Sequence, residues 1–72
     1  MEFKKQGIDF FLAETAIIKK PHLVEIGNHV AIDYGVYLST QAIIDDYVHI
    51  APYACIIGGE KAKLVMGKFS GI

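Results

Sequence analysis

The sequence has little cysteine and little net charge, and each shortage excludes a class of protein. Cys55 is its single cysteine, so no internal disulfide can form, and no Cys/His spacing typical of a zinc site is present. The cytoplasm, a reducing compartment, is therefore predicted, and no metal site. The formal net charge is −1 and the lysines are scattered among acidic residues, which argues against a nucleic-acid partner.

Long apolar runs are also missing from the chain. The longest stretch without a charged residue, 47–59, contains a proline and is shorter than the ~20 apolar residues that a membrane helix needs. Residues 1–11 lack the apolar segment and the small-residue cleavage site of a secretory signal. No membrane association is predicted.

A high apolar content within a short length is what the chain does have. Its 72 residues form one domain at most, and 53% of them are hydrophobic, with a mean hydropathy of +0.36. This composition is too apolar for disorder and leaves more apolar residues than a small monomer buries comfortably. Part of the apolar surface is therefore predicted to meet another chain.

An aliphatic residue occurs at every sixth position through the middle of the chain. These residues are Ile26, Ile32, Leu38, Ile44, Ile50 and Ile56. A small or β-branched residue follows four positions after each of them as far as Ala54. A period of six is a multiple of the strand period of two and not of 3.6, so it predicts short extended segments rather than a helix. Gly, Asn, Asp and Pro between the segments supply one bend per hexapeptide.

Two short insertions extend the register in both directions. Two extra residues near Pro21 and His22 connect it to Ile18 and Leu12, and four extra residues within 58–61 connect it to Met66 and Ile72. Three hexapeptides close one triangular coil, so aliphatic residues three repeats apart stack on one another. The predicted stacks are Leu12, Ile32, Ile50 and Ile72; Ile18, Leu38 and Ile56; and Ile26, Ile44 and Met66.

The predicted fold is all-β, a triangular parallel β-helix of about three coils. The hexapeptide region is 10–72, and residues 1–9 form a lead segment outside the register. Aromatic and aliphatic side chains near this lead are expected to cap the first coil, namely Phe3, Ile8, Phe10 and Phe11. No polar or helical cap is visible after Ile72, and because solenoids need caps, we expect the chain to be the N-terminal portion of a longer protein.

The hexapeptides 26–31 and 50–55 resemble the motif of the left-handed β-helix acyltransferases, over about residues 10–72. The segment Val48-His49-Ile50-Ala51-Pro52, followed by Ile56-Ile57-Gly58-Gly59, looks most like bacterial acetyltransferases that modify sugars or sugar nucleotides during surface-polysaccharide synthesis. The resemblance implies a left-handed coil and a homotrimer that binds acetyl-CoA between subunits. It also implies a histidine that deprotonates a hydroxyl or amine of the sugar acceptor.

His49 is the predicted catalytic residue, because it matches a histidine kept beside the thioester in one branch of that family, and imidazole titrates near neutrality. A purely structural role for it stays open. His22 is interpreted as a loop residue and His29 as an outward bend residue. Gly58 and Gly59 are the predicted acetyl-CoA-binding residues, at an insertion able to reach a subunit groove; a surface insertion without function is the alternative.

Thr40 departs from the resembling branch, which places its catalytic base nine positions before the matching histidine. Threonine is not a base at neutral pH. We therefore expect the 72-residue chain itself to be inactive, with the base on a later coil, or to be a non-catalytic β-solenoid that self-assembles. A zinc carbonic anhydrase of the same fold is disfavoured, because the three histidines lie at different places relative to the coil period.

Overall fold

The chain consists of short parallel strands wound into about three stacked coils, in a computed structural model that describes residues 2–72. The prediction of an all-β parallel solenoid is confirmed. A single 3-10 turn, Pro21–Leu23, is the helical element of residues 2–72, and no helix there is long and apolar enough to cross a membrane. The strands are β1 (Lys5–Gln6), β2 (Phe11–Leu12), β3 (Ile17–Ile18), β4 (Val24–Ile26), β5 (Ala31–Ile32), β6 (Tyr37–Ile44), β7 (His49–Ile50) and β8 (Cys55–Met66).

The strands form three faces, and two of the strands are long enough to contribute to two faces. Face 1 is the sheet β2-β5-β7. Face 2 joins β3 to the first halves of β6 and β8, and face 3 joins β1 and β4 to the second halves of β6 and β8. The chain thus turns at three corners: corner A between faces 1 and 2 (residues 14–15, 34–35, 52–53), corner B between faces 2 and 3 (19–23, 39–41, 58–63), and corner C between faces 3 and 1 (8–9, 28–29, 46–47, 68–69).

The strand register confirms the predicted stacks. Ile32 pairs with Leu12 on one side and Ile50 on the other, and the corresponding pairs form on faces 2 and 3. The backbone bond from Ala51 N–H to the Ile72 carbonyl, 2.8 Å, continues the first stack. Five of the six central aliphatic residues are at most 1% exposed, whereas Ile56 is half-buried. One ring of branched side chains therefore fills the narrow interior of each coil.

Both predicted insertions are confirmed, and both lie at corner B. The first is the 3-10 turn Pro21–Leu23. At the second, Thr40 pairs with Gly59 while its neighbour Gln41 pairs with Lys63, so residues 60–62 bulge out of the ladder. Residues 58–63 are called the excursion below.

The coil extends into the predicted lead segment. Lys5 and Gln6 pair in parallel with Glu25 and Ile26, so Gln6 takes the place that an aliphatic residue takes in later coils. Backbone pairing does not require an aliphatic side chain, which is why the hydrophobic register could not reveal this strand. The rings of Phe3 and Phe10 pack edge to face at 5.4 Å against the core, as expected of a cap, whereas Ile8 and Phe11 are largely exposed. Met1 lies outside the described residues.

Candidate functional site

His49 stands on the outer surface of face 1, surrounded by small residues. It lies on β7, where the alternation of the strand turns its side chain outward and Ile50 inward, and its side chain is 56% exposed. Its neighbours on the adjacent rungs are Ala31 and Gly71. Because neither has a bulky side chain, neither covers the imidazole ring, which is accessible from outside the coil.

Asp33, which lies on the neighbouring coil, contacts the imidazole ring of His49. Its Oδ2 lies 3.2 Å from His49 Nε2, and its Oδ1 accepts a 2.8 Å hydrogen bond from the Tyr34 backbone N–H. The Tyr34 bond and then the His49 bond lower the pKa of Asp33 below its usual value. In the tautomer that carries its proton on Nε2, the ring donates to this carboxylate and Nδ1 has the lone pair that can accept a proton. The pair therefore has the geometry of a base with an orienting carboxylate.

A ladder of stacked rings borders the site at corner C. The rings of His29 and Tyr47 stack at 4.7 Å and those of Tyr47 and Phe69 at 5.0 Å. His29 Nδ1 also lies 2.7 Å from Asp9 Oδ2, a second His–Asp pair. His29 thus lies at a bend, as the sequence predicts, but the sequence did not predict its stacking on Tyr47 or its pairing with Asp9. Because one such residue occurs in each coil, the spacing places them at the same corner, but it does not show that their side chains meet.

Gly58 and Gly59 lie at corner B, on the excursion, and each has a structural reason to be glycine. A Cβ at Gly58 would lie 2.7 Å from Thr40 Oγ1 and 2.9 Å from the Ala62 Cβ. Gly59 has a φ of +67°, which favours glycine, and the space beside it is open. Corner B is opposite face 1, so one chain does not bring these glycines together with His49. Their predicted role in binding acetyl-CoA stays a prediction.

Thr40 is a structural residue of corner B. It is 3% exposed, and its hydroxyl donates a 3.0 Å hydrogen bond to the Ala62 carbonyl across the excursion. The hydroxyl therefore anchors the bulged segment to the coil, which hydrophobic periodicity could not show. Thr40 also lies on a different sheet from His49.

Positive charge accompanies the excursion. Lys61 and Lys63 are exposed on it, while Glu60 lies 3.5 Å from the ammonium group of Lys20. The excursion therefore offers cationic side chains beside an open stretch of backbone at Gly59, a combination suited to anionic groups.

The three histidines lie at three separate places, His22 on the 3-10 turn, His29 at corner C and His49 on face 1. Within residues 2–72 no three side chains of His, Cys, Asp or Glu are grouped closely enough to hold a metal ion. The chain matches no protein-family model, no curated protein and no solved structure. The acyltransferase resemblance therefore stays an inference from the hexapeptides.

Proposed function

We propose that this protein is an acyltransferase that moves an acetyl group from acetyl-CoA to a hydroxyl or amine of a sugar or sugar nucleotide. The observation that carries the proposal is the His49–Asp33 pair on the open surface of face 1. The solenoid architecture and the hexapeptides that resemble the acyltransferases support it. The left-handed sense of the coil and the cytoplasmic location belong to this proposal.

His49 is the proposed base, in place of the base that the sequence led us to expect on a later coil, because Asp33 supplies it with the carboxylate partner that an imidazole base uses. Nδ1 of His49 accepts the proton of the acceptor hydroxyl or amine as its oxygen or nitrogen attacks the thioester carbonyl carbon. Asp33 stabilises the imidazolium that forms, through the Nε2–H bond. When the carbon–sulfur bond breaks, His49 returns the proton to the departing CoA thiolate, so the base is regenerated.

Acetyl-CoA carries several phosphate charges, and the excursion has groups that fit them. Lys61 and Lys63 are exposed there, and the backbone beside Gly59 is unobstructed. Because corner B is opposite face 1, a donor held by the excursion of one copy reaches His49 of another copy, not its own. A homotrimer with acetyl-CoA between subunits, as the resemblance implies, meets this requirement.

A non-catalytic solenoid module is the second candidate, and one observation favours it. Packing at Gly58, the positive φ of Gly59 and the hydrogen bond of Thr40 explain why these residues are found at corner B. No ligand is needed to account for them.

Calorimetric titration with acetyl-CoA separates the two candidates. We expect micromolar binding, weakened at least tenfold by Lys61→Ala with Lys63→Ala, because two phosphate partners are removed. An absence of binding, together with filaments in the electron microscope, would favour the structural module.

Acetyl transfer to a sugar acceptor then tests His49. Turnover by the 72-residue chain is expected to be low, and the part that is measurable should fall by roughly 10²–10⁴ in His49→Asn while acetyl-CoA binding persists. Asp33→Asn should lower the rate less and shift the pH profile. His22→Asn is the matched control, because His22 is exposed on the 3-10 turn and lies away from face 1. Unchanged transfer in His49→Asn would remove His49 from the mechanism.

A further inference from the structure

A groove runs along the edge of face 3 beside corner C. Its volume is about 390 Å³. Glycines form its floor: a Cβ at Gly27 would lie 2.5 Å from Asp46 Oδ1, so no larger residue fits under that side chain. Among the residues that line the groove are Lys5, Glu25, Gly27, Asp45 and Asp46.

The groove is acidic. Three carboxylates, Glu25, Asp45 and Asp46, face one lysine, Lys5. Asp45 and Asp46 each use one oxygen to accept a 2.7 Å backbone N–H bond, and each has a second carboxylate oxygen for another donor. Glu25 lies 3.8 Å from the Lys4 ammonium, an exposed and therefore weak pair. The groove thus attracts cations from outside the chain.

Corner B, at the other edge of face 3, is basic. Four of the seven lysines lie there, and Glu60 is the one acidic residue among them. They are Lys19, Lys20, Lys61 and Lys63. The net charge of −1 therefore conceals a separation of charge across face 3, with a basic edge and an acidic edge.

The two edges overlap along the axis of the solenoid. Lys20 precedes Val24 on the rung of Glu25, and Lys63 precedes Leu64 two rungs above. The groove extends from Lys5, one rung below Glu25, to Asp46, one rung above it.

Two copies with parallel axes and their coils level therefore bring Lys19 and Lys20 of one beside Glu25 of the other. Lys61 and Lys63 then lie one rung, about 4.8 Å, above Asp45 and Asp46, within the reach of a lysine side chain. Between the edges, the outward row of face 3 ends in Val65, which is 65% exposed and adds apolar area to such a contact.

We propose that corner B of one copy docks into the acidic groove of a second copy of this chain. The contact is heterologous, since two different surfaces meet, so repetition by a rotation that closes produces a ring. The proposal rests on the proposed function only in taking the protein to be an assembly of identical copies. It adds which surfaces meet. Lys61 and Lys63 then lie at the contact between copies, where acetyl-CoA is also proposed to bind, so changing them is expected to weaken both assembly and acetyl-CoA binding. Substitutions in the groove test the contact without removing these lysines.

Light scattering coupled to size-exclusion chromatography, with sedimentation velocity, tests the contact. We expect the wild type to be oligomeric at low salt, and Lys61→Glu with Lys63→Glu to raise the dissociation constant at least tenfold, since both lysines are exposed and folding does not need them. High salt should weaken the wild-type assembly in the same direction. Glu14→Lys is the control, because Glu14 is exposed at corner A and touches neither edge.

A charge swap within one chain gives the decisive result. Glu25→Lys with Asp45→Asn makes the groove net positive, and the Asn side-chain oxygen can still accept the Asp46 N–H. We expect this pair of changes alone to dissociate the assembly and to restore it when combined with Lys61→Glu and Lys63→Glu. If the assembly persists in the lysine variant, the copies meet through other surfaces and this inference is wrong. If the wild type is monomeric, both this inference and the proposed homotrimer are wrong.

Discussion

Corners C and B of the solenoid are built in opposite ways. At corner C each coil turns on one residue with positive φ, between +54° and +63°. These residues, Asp9, His29, Tyr47 and Phe69, stack one above another. At corner B the strands β6 and β8 run on through the turn, and both insertions of the chain are found there.

This difference between the two corners shows where the solenoid tolerates a change in the length of a coil. Corner C is tied between coils by backbone bonds such as Tyr47 N–H to the Asn28 carbonyl, 2.9 Å, and by stacked rings, so an extra residue would break both. Corner B has no stacked side chains of this kind, and bulged residues there cost few contacts. Face 1, which borders corner C, holds the His49–Asp33 pair, and corner B, where the length of the coil varies, presents the excursion.

The largest expected effect is a loss of stability, caused by a substitution in the hydrophobic interior that corners B and C share. Ile44 is 1% exposed, and Ile44→Asp places an unpaired carboxylate in a dry core, which we expect to unfold the coil. Ile57→Asp is the matched control, because Ile57 points outward beside the excursion and is 75% exposed. Circular dichroism should show loss of β-structure in the first variant alone. A folded, soluble Ile44→Asp protein would contradict the architecture.

The next largest effect is the difference in stability loss between substituting a closely packed glycine, Gly27, and substituting Gly59, which has open space beside it. Gly27→Ala puts a Cβ 2.8 Å from the Asp45 backbone carbon, and we expect it to lower the free energy of unfolding by about 1–3 kcal/mol. Gly59→Ala has open space and costs roughly 1 kcal/mol, for its positive φ alone. Urea denaturation of the two variants measures the difference. Equal losses would mean that the groove floor beside corner C is less rigid than the packing indicates.

A smaller effect concerns the two threonines at corners. Thr40→Val removes the bond to the Ala62 carbonyl and should cost about 1 kcal/mol, with faster amide exchange confined to the excursion. Thr15→Val, at corner A, removes an exposed acceptor of the Gly35 N–H, so water can replace it and the loss should be smaller. Faster amide exchange over all three faces in Thr40→Val would mean that the Thr40 hydroxyl stabilises more than the excursion.

The smallest effect is the acid dependence that arises from Asp33. Because its pKa in the folded chain is lowered from 3.8, its contribution to stability is fully present above pH 3.8 and is lost as the pH falls through the lowered value. Removing one of its two bonds, in His49→Ala, should move that pKa back toward 3.8. NMR titration of the Asp33 carboxyl measures the shift. An unchanged pKa in His49→Ala would mean that the Tyr34 N–H alone sets it.

The amino-acid pattern predicted most of the fold and only one member of the candidate site. A narrow interior admits an aliphatic residue at one place per hexapeptide, so the stacks through Ile32, Leu38 and Ile44 and both insertions could be read from spacing. Strand β1 could not be predicted from the spacing, because Gln6 is held by backbone hydrogen bonds and is not an aliphatic residue. His49 was singled out by resemblance, but Asp33 was not, since the two are sixteen positions apart.

By itself the sequence determined the period, the number of coils and the places where their length changes, because burial of branched side chains is a local and repeating requirement. Only the tertiary structure decided which outward side chains meet. Residues separated by a whole coil become neighbours on adjacent rungs, about 4.8 Å apart, and the outward positions carry no hydrophobic constraint that would reveal the pairing. For that reason the His49–Asp33 pair, the ring ladder and the division of face 3 into a basic and an acidic edge emerged only from the folded chain.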